Sequence, residues 1–221
     1  MTISTAKGWV LTIFWLESVD STQYYLRDAL KNRELSAPVA VVAEQQNSGR
    51  GSRGNSWEGI EGNLFFSFAF ESDALPSDLK LESSSIYFTY LLKEVLAEAG
   101  SKLWLKWPND LYLDDKKIGG TITNLEGTTL VCGIGLNIKA APEGFGRLDI
   151  DISKNELLQS YFRLLEKMIP WKQIFRKFKL EFERCRTKTS TVQNRKISLK
   201  EAKLLEDGSL ELNGQRIYSL R

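Results

Sequence analysis

Apolar and polar positions alternate in short runs through the first two thirds of the chain, a pattern typical of strands separated by polar turns. Asp114-Asp115-Lys116 has the composition of a hairpin turn between two of these runs. Strands joined by hairpins and mixed with a few helices predict an α+β fold with a largely antiparallel sheet. The predicted strands are 10–16, 39–44, 63–70, 103–107, 111–113, 118–124 and 129–138.

Apolar residues spaced three and four positions apart predict four helices, at 22–31, 83–99, 153–168 and 170–185. Ser21-Thr22 and Ser83 provide N-terminal caps for the first two, and Gly100 suits the end of the second. The last helix carries an apolar stripe that is typical of a core-facing surface, formed by Trp171, Ile174, Phe175, Phe178 and Phe182.

The pattern changes in the last third of the chain. Residues 139–151 form a predicted loop with Pro142, Gly144 and Gly146, and residues 187–194 form a predicted polar linker. The tail alternates weakly and contains an Asp207-Gly208 hairpin signal. We therefore expect two domains, a large one at 1–187 and a small β domain at 188–221.

Composition places the chain among globular proteins: of its 221 residues, 42% are hydrophobic and 26% are charged. There is no apolar run of about 18 residues, so no membrane span is expected. The N-terminal segment lacks a basic leader and a cleavage site, so we expect a cytoplasmic protein. With 30 basic and 28 acidic residues, a dedicated nucleic-acid surface is disfavoured.

The chain contains no histidine, which excludes Ser-His-Asp and Cys-His catalysis and all histidine-based metal sites. Cys132 and Cys185 are far apart in the sequence and are interpreted as reduced structural thiols. Any chemistry must therefore depend on lysine, arginine, carboxylates, backbone amides and a metal carried by a ligand.

Residues 49–57 are rich in glycine and arginine. They contain a literal G-x-G-x-x-G, but no helix follows to bind a pyrophosphate, and Asn55 stands where a phosphate loop requires lysine. Converging backbone amides with Arg50 and Arg53 still suit an anionic group, and Trp57 offers an apolar face to a ring. The alternative is a solvated loop.

A second candidate segment is Lys106-Trp107-Pro108-Asn109-Asp110, where the proline interrupts strand pairing and is expected to expose its neighbours at a sheet edge. A hairpin would return Lys117 towards Lys106. Two lysines near an arginine-bearing loop suit a carboxylate that meets a triphosphate, because such chemistry needs positioning and charge stabilisation and no protein nucleophile. The alternative is a surface hairpin with solvated lysines.

A third segment, 133–138, places Gly133 and Gly135 in a buried strand that ends near the polar residue Asn137. Glycines in a strand interior often mark the close approach of a ligand. A bulged core strand is the alternative interpretation.

Taken together and in order, these segments resemble the biotin–protein ligase family. The resemblance covers about residues 16–138, and Lys-Trp-Pro-Asn-Asp is its most specific part. The matching segments are Ser21-Thr22-Gln23, 44–51 with Arg53-Gly54 and Trp57, Asn63-Leu64 with Ser67, 106–110, 117–120 and 133–137.

The resemblance implies a catalytic domain related to class II aminoacyl-tRNA synthetases and to lipoate–protein ligases. It implies that the biotin carboxylate attacks the α-phosphorus of ATP, with Mg²⁺, to give biotinyl-5′-adenylate and pyrophosphate. A lysine of a biotin carboxyl carrier protein, from acetyl-CoA carboxylase or a similar enzyme, would then attack the mixed anhydride.

The resemblance also implies roles for individual residues, with Mg²⁺ carried by ATP and held by no direct protein ligand. The implied catalytic residues are Lys106, Lys117 and Arg50. Biotin would be bound by Ser21, Thr22, Gln23, Gln46, Arg50, Gly51, Ser52 and Lys117. The ATP and adenylate moieties would be bound by Arg53, Trp57, Asn109, Asp110 and Asn137, with the 139–151 loop folding over the adenine.

The matching series begins close to Met1, so no helix-turn-helix and no DNA binding are expected. The C-terminal region is shorter than is usual in the family. The expected oligomeric state is a monomer or a homodimer.

Three other functions compete with this interpretation. A lipoate–protein ligase shares the fold, although Lys-Trp-Pro-Asn-Asp and Gly-Arg-Gly favour biotin. An octanoyl-transferase would need a cysteine or lysine nucleophile, and Cys132 is a poor candidate because it lies in a buried strand. A basic nucleic-acid-binding module is disfavoured by the balanced charge.

The chain departs from the family pattern at Gln23, where asparagine is common, and at Ser52 and Asn55, where many members have arginine. Both lost arginine charges would lie near the phosphates, and each lost charge-assisted hydrogen bond costs up to a few kcal/mol. We predict that Ser52→Arg lengthens the half-life of bound adenylate relative to the wild type. An unchanged half-life in that variant would contradict this prediction.

Overall fold

The computed structural model describes residues 2–4, 10–51, 55–192 and 195–218. These residues form an α+β fold, as predicted. The strands are β1 (Thr2–Ser4), β2 (Val10–Val19), β3 (Val39–Gln46), β4 (Gly49–Arg50), β5 (Ser56–Trp57), β6 (Leu64–Glu71), β7 (Trp104–Lys106), β8 (Asp110–Leu113), β9 (Lys116–Glu126), β10 (Thr129–Leu136), β11 (Thr189–Val192), β12 (Arg195–Ser198), β13 (Lys203–Leu204), β14 (Leu210–Leu212) and β15 (Gln215–Ile217).

Eight of these strands form the main sheet, in the order β1-β2-β3-β6-β10-β9-β8-β7. Strands β2 and β3 run parallel, and every other neighbouring pair runs antiparallel, which confirms the predicted largely antiparallel sheet. Because β10 lies between β6 and β9, it is buried in the centre of the sheet.

Four helices cover the sheet: α1 (Thr22–Lys31), α2 (Ser84–Glu98), α3 (Lys154–Glu166) and α4 (Trp171–Phe182). Alternate residues of a strand point to opposite faces. On one face Leu26 of α1 packs against Val39, Val41, Ala69 and Val131. The other face carries the large core, whose strand residues contact α2, α3 and α4 and include Phe66, Phe68, Cys132, Ile134 and Leu136.

Two details of the predicted elements are wrong. Ser21 and Ser83 occupy the N-cap positions of α1 and of the helical segment at α2, but neither side chain makes a capping hydrogen bond. The Ser83 hydroxyl instead donates to the carbonyl of Asp207, in the C-terminal region. The predicted linker at 187–194 contains β11, which pairs with β12, because alternating Thr and Ser residues also suit a strand.

The expectation that Pro108 exposes its neighbours is also wrong, although β7 does lie at the sheet edge. Lys106 is 8% exposed and Trp107 is fully buried. The C-terminal turn covers this edge, since Trp107 Nε1 donates to the carbonyl of Gly208 at 2.8 Å. The backbone N–H of Trp107 donates to Cys185 Sγ at 3.4 Å.

The C-terminal strands share the main core, to which Leu199, Ala202 and Leu210 contribute buried side chains. Trp171 Nε1 donates to the carbonyl of Glu206 at 2.8 Å. The division into domains at residue 188 stays a prediction.

Both cysteines are free and fully buried, as the interpretation of structural thiols requires. Burial raises the pKa of Cys132 well above its usual value and that of Cys185 to about 11. A thiol held protonated in this way is a poor nucleophile. Within the described ranges, no helix combines the length and the apolar character that crossing a membrane requires.

We predict that folding stability falls in alkaline solution. Above pH 9 the unfolded Cys185 thiol loses its proton, whereas the folded thiol holds its proton up to about pH 11. The unfolded state therefore binds fewer protons, and the free energy of unfolding decreases as pH rises through this window. The free energy of unfolding in urea should be measured between pH 8 and pH 11. Its decrease with pH should be smaller in Cys185→Ser than in the wild type, by up to about 1.4 kcal/mol per pH unit. Equal pH dependence in the wild type and in Cys185→Ser would contradict the raised pKa of Cys185.

Candidate active site

The floor of the candidate site is the α1 face of β10, where Gly133 and Gly135 have no side chains. A methyl group added at Gly133 would lie 3.1 Å from both Gln23 Cδ and Ser67 Oγ. One added at Gly135 would lie 2.7 Å from Trp57 Cε2. Strand β10 pairs without interruption with β6 and β9, so the glycines mark close packing and do not form a bulge.

The inner end of this pocket is polar because the first turn of α1 points into it. Ser67 Oγ donates to Thr22 Oγ1 at 2.9 Å. Thr22 donates to Gln46 Oε1 through its backbone N–H at 2.8 Å and through its hydroxyl at 3.1 Å. These side chains are at most 9% exposed, so their hydrogen bonds orient one another in a site with little access to water.

Gln23 completes the polar end. Its Nε2 donates to Asn124 Oδ1 at 3.1 Å and to the carbonyl of Val131 at 3.3 Å. Its Oε1 is buried and has no hydrogen-bond partner among the described residues. An unpaired buried carbonyl oxygen is costly, which makes this atom a candidate acceptor for a ligand.

The roof of the pocket is a short hairpin formed by β4 and β5, which the sequence did not predict as strands. The N–H of Gly51 donates to the carbonyl of Asn55 at 2.7 Å. The Trp57 indole lies against Gly135, and the Arg50 guanidinium lies 5.5 Å from the ring centre of Tyr24. Ser52 and Arg53, which the resemblance assigns to this loop, lie outside the described residues.

The predicted approach of the two lysines is confirmed, with Asp110 between them. Lys117 Nζ lies 2.6 Å from Asp110 Oδ1, and Lys106 Nζ lies 3.6 Å from Asp110 Oδ2. Two lysine charges against one carboxylate leave a positive charge that favours an anionic ligand. Burial, reinforced by the charge of Asp110, raises the pKa of nearby Tyr112 to about 12. This phenol therefore stays neutral at physiological pH.

Three cavities meet at Lys117, which lines all of them. The glycine-floored pocket is narrow, at about 30 Å³, against the roughly 300–1,000 Å³ of ligand pockets. A cavity of about 480 Å³ lies between Trp57 and Phe145, and a polar one of about 350 Å³ extends past Lys106 to Lys188.

The 139–151 loop borders the larger cavity, and a buried asparagine, Asn63, holds its first residues. Asn63 Oδ1 accepts the backbone N–H groups of Ile138, Lys139 and Ala140 at 2.9, 3.0 and 3.2 Å. Its Nδ2 donates to the carbonyl of Ala140 at 2.9 Å and to Asn137 Oδ1 at 3.4 Å. Asn63 therefore fixes the start of the loop and the orientation of Asn137.

The structure brings most of the predicted site residues together around the narrow pocket. Those that line it are Ser21, Thr22, Gln23, Gln46, Arg50, Gly51, Trp57, Asn109, Asp110 and Lys117. Asn137 lines the cavity beside Phe145, and Lys106 lines the polar cavity. The amide of Asn109 donates to the carbonyl of Thr121, which gives that residue a structural contact within the site.

Sequence reasoning missed Asn124 and Tyr24 as parts of the site, and it gave Asn63 no role. Asn124 is the cross-strand partner of Val131 and shares its face, so strand alternation across the predicted hairpin was the available signal. Tyr24 follows the Ser21-Thr22-Gln23 segment directly, but its contact with Arg50 depends on the folded hairpin.

Within the described ranges, no group of three or more acidic or cysteine side chains is placed to hold a metal ion. Asp110 is the carboxylate nearest the lysines, and both of its oxygens face a lysine ammonium. This donor set does not fit direct ligation of Mg²⁺.

Comparison with known proteins agrees with this geometry. Residues 15–138, more than half of the chain, match the model of the biotin/lipoate A/B protein ligase family. The chain belongs to this family. The match covers the main sheet from β2 to β10 and all the segments that line the narrow pocket.

Among curated members of the family, the bifunctional ligase/repressor BirA of Escherichia coli K12 is 37% identical over 130 residues. That alignment covers 56% of this chain and 39% of BirA, so the chain matches about two fifths of the relative's length. The biotin–[acetyl-CoA-carboxylase] ligase of Paracoccus denitrificans is 31% identical over 119 residues, which cover 49% of this chain and 48% of that protein.

Solved structures of the family extend the likeness over nearly the whole chain. The biotin acetyl coenzyme A carboxylase synthetase of Helicobacter pylori, solved with biotinylated ATP, has a TM-score of 0.90 and 41% identity. The alignment covers 94% of this chain and 99% of that one. The Aquifex aeolicus biotin protein ligase in complex with biotin and ATP has a TM-score of 0.75 at 26% identity, covering 95% and 96%. The predicted fold is therefore confirmed.

We predict that Asn63→Ala lowers the free energy of unfolding by about 1–3 kcal/mol, because three backbone N–H groups lose their acceptor. It should also speed proteolytic cleavage near residues 139 and 140, since the start of the loop loses its anchor. Asn47→Ala is the matched control, because Asn47 is exposed and its amide makes one hydrogen bond, to Ser18. Urea unfolding and limited proteolysis measure both effects, and equal behaviour of the two variants would contradict the role of Asn63.

Proposed function

We propose that this protein is a biotin–protein ligase, which activates biotin with ATP and transfers it to a lysine of a carrier protein. The observation that carries the proposal is the position of Lys117, where a narrow pocket with a polar end meets a larger cavity beside Trp57. The likeness to a Helicobacter pylori synthetase solved with biotinylated ATP supports the same assignment.

The polar end of the narrow pocket favours biotin over the alternative substrates. Biotin carries a cyclic urea, with two N–H donors and a carbonyl acceptor, at the end remote from its carboxylate. Lipoate ends in a dithiolane and octanoate in a methyl group, neither of which can donate a hydrogen bond to Gln23 Oε1, which is unpaired among the described residues. A pocket built to hydrogen-bond its ligand rejects analogues that leave such an acceptor unpaired.

In the first half-reaction, the biotin carboxylate lies at the mouth of the narrow pocket beside Lys117. A carboxylate oxygen attacks the α-phosphorus of ATP, an O–P bond forms, and the bond to the leaving pyrophosphate breaks. Lys117, Lys106 and Arg50 neutralise the charge that develops on the phosphate oxygens, which is the usual source of catalysis in such transfers. Arg53, Trp57, Asn109, Asp110 and Asn137 bind the nucleotide in this proposal.

In the second half-reaction, the amine of the carrier lysine attacks the acyl carbon of the adenylate. An amide bond forms, AMP leaves, and the amine releases a proton. The polar cavity beyond Lys106 opens beside the same centre and offers the carrier lysine a route to it. The carrier in this proposal is a biotin carboxyl carrier protein.

Mg²⁺ enters this proposal as a companion of the ATP phosphates, where it supplies charge neutralisation. The Asp110 carboxylate is shared by two lysines and does not serve as its ligand.

We predict biotin-dependent exchange between ATP and pyrophosphate, with kcat/KM for biotin about 100-fold or more lower in Lys117→Ala, because a developing charge loses its partner. Lys116→Ala is the matched control: Lys116 is the preceding residue of β9, is exposed, and does not line the narrow pocket. Exchange that depends on lipoate or octanoate in place of biotin would contradict the proposed substrate. Equal activity of the two variants would contradict the role of Lys117.

A further inference from the structure

The orientation of the Gln23 amide is decided by its neighbours. The carbonyl of Val131 can only accept a hydrogen bond, so the Gln23 group that faces it at 3.3 Å must be the NH₂. The Gln23 Oε1 must then point the other way, over Gly133 on the pocket floor, where it is buried and has no partner among the described residues.

Asn124 reinforces this orientation from the adjacent strand. It is the cross-strand partner of Val131, so the two residues lie side by side on the α1 face of the sheet. Its Oδ1 accepts the second N–H of the Gln23 amide at 3.1 Å. With both N–H groups engaged, the Gln23 amide has only its acceptor free for a ligand.

We propose that Asn124 is a positioning residue that fixes Gln23 with its Oε1 facing the pocket, and that this acceptor selects ligands with an N–H donor at the buried end. The inference rests on the proposed function, in which that donor is a ureido N–H of biotin. Asn124 itself does not line the pocket and acts only through Gln23.

The Gly133 contact explains why the position of Gln23 matters. The end of the Gln23 side chain lies over Gly133, where an added Cβ atom would clash with it. The Ser67 hydroxyl already donates to Thr22, so it is not the donor that satisfies Gln23 Oε1. A ligand N–H above Gly133 satisfies this oxygen and relieves the cost of an unpaired buried acceptor.

The test measures biotin affinity by titration calorimetry without ATP, for the full chain and four variants. We expect Asn124→Leu to raise the Kd for biotin about tenfold, because one of two contacts that hold Gln23 is lost. Asn124→Asp keeps the acceptor oxygen and should stay within about threefold of the wild type. Gln23→Met removes the acceptor and should raise the Kd about a hundredfold.

The double variant Gln23→Met/Asn124→Leu distinguishes positioning from a general structural effect. If Asn124 acts through Gln23, the double variant binds biotin no more weakly than Gln23→Met alone. Independent effects would multiply to about a thousandfold, which would overturn the proposal. Desthiobiotin keeps the cyclic urea and lacks the sulfur ring. Its affinity should fall by the same factor as that of biotin in Asn124→Leu. A loss confined to biotin would also overturn it.

Two further readouts separate this inference from its premise. The KM for ATP in pyrophosphate exchange should stay within about twofold in Asn124→Leu, because the nucleotide lies beyond Lys117. Wild-type protein that binds lipoate and not biotin would overturn the proposed function itself. Two results would overturn the role of Asn124 alone, provided that the wild type binds biotin. One is an unchanged affinity for biotin in Asn124→Leu, and the other is an equal loss of affinity in Asn124→Asp and Asn124→Leu.

Discussion

The absence of side chains at Gly133 and Gly135, on the α1 face of β10, is the constraint on which the rest of the site depends. Gly133 and Gly135 occupy the centre of an eight-stranded sheet, where a side chain would meet Gln23 or Trp57. The opposite face of the same strand carries Cys132, Ile134 and Leu136 into the main core. One strand therefore contributes to the main core on one side and forms the floor of the narrow pocket on the other.

The two ends of the narrow pocket differ in polarity and charge. The inner end is a network of neutral amides and hydroxyls whose hydrogen bonds orient one another. In the proposed function, this network discriminates between ligands by their pattern of donors and acceptors. The outer end carries the charges, with Asp110 between Lys106 and Lys117. A ligand with a polar neutral head and an anionic tail matches both ends, and biotin is such a molecule.

Elements remote in sequence keep the charged end in place. Trp107, next to Lys106, is buried under the C-terminal turn and donates to the carbonyl of Gly208. Asn63, which directly precedes β6, holds the first residues of the loop that borders the cavity beside Trp57. The surroundings of Lys106 thus depend on the C-terminal turn, and those of Lys117 depend on the 139–151 loop.

The sequence by itself determined the four helices, seven of the eight strands of the main sheet and most of the residues that line the site. Periodicity predicted the strands and helices because burial alternates with period two in strands and follows the helical repeat elsewhere. The missing histidine and the order of the lysine, arginine and glycine segments restricted the chemistry to charge stabilisation. Only the tertiary structure decided which side chains meet across the strands. Asn124 beside Gln23, Tyr24 beneath Arg50, and Trp107 under the C-terminal turn are contacts between distant segments, and register and packing set them where no local pattern records them.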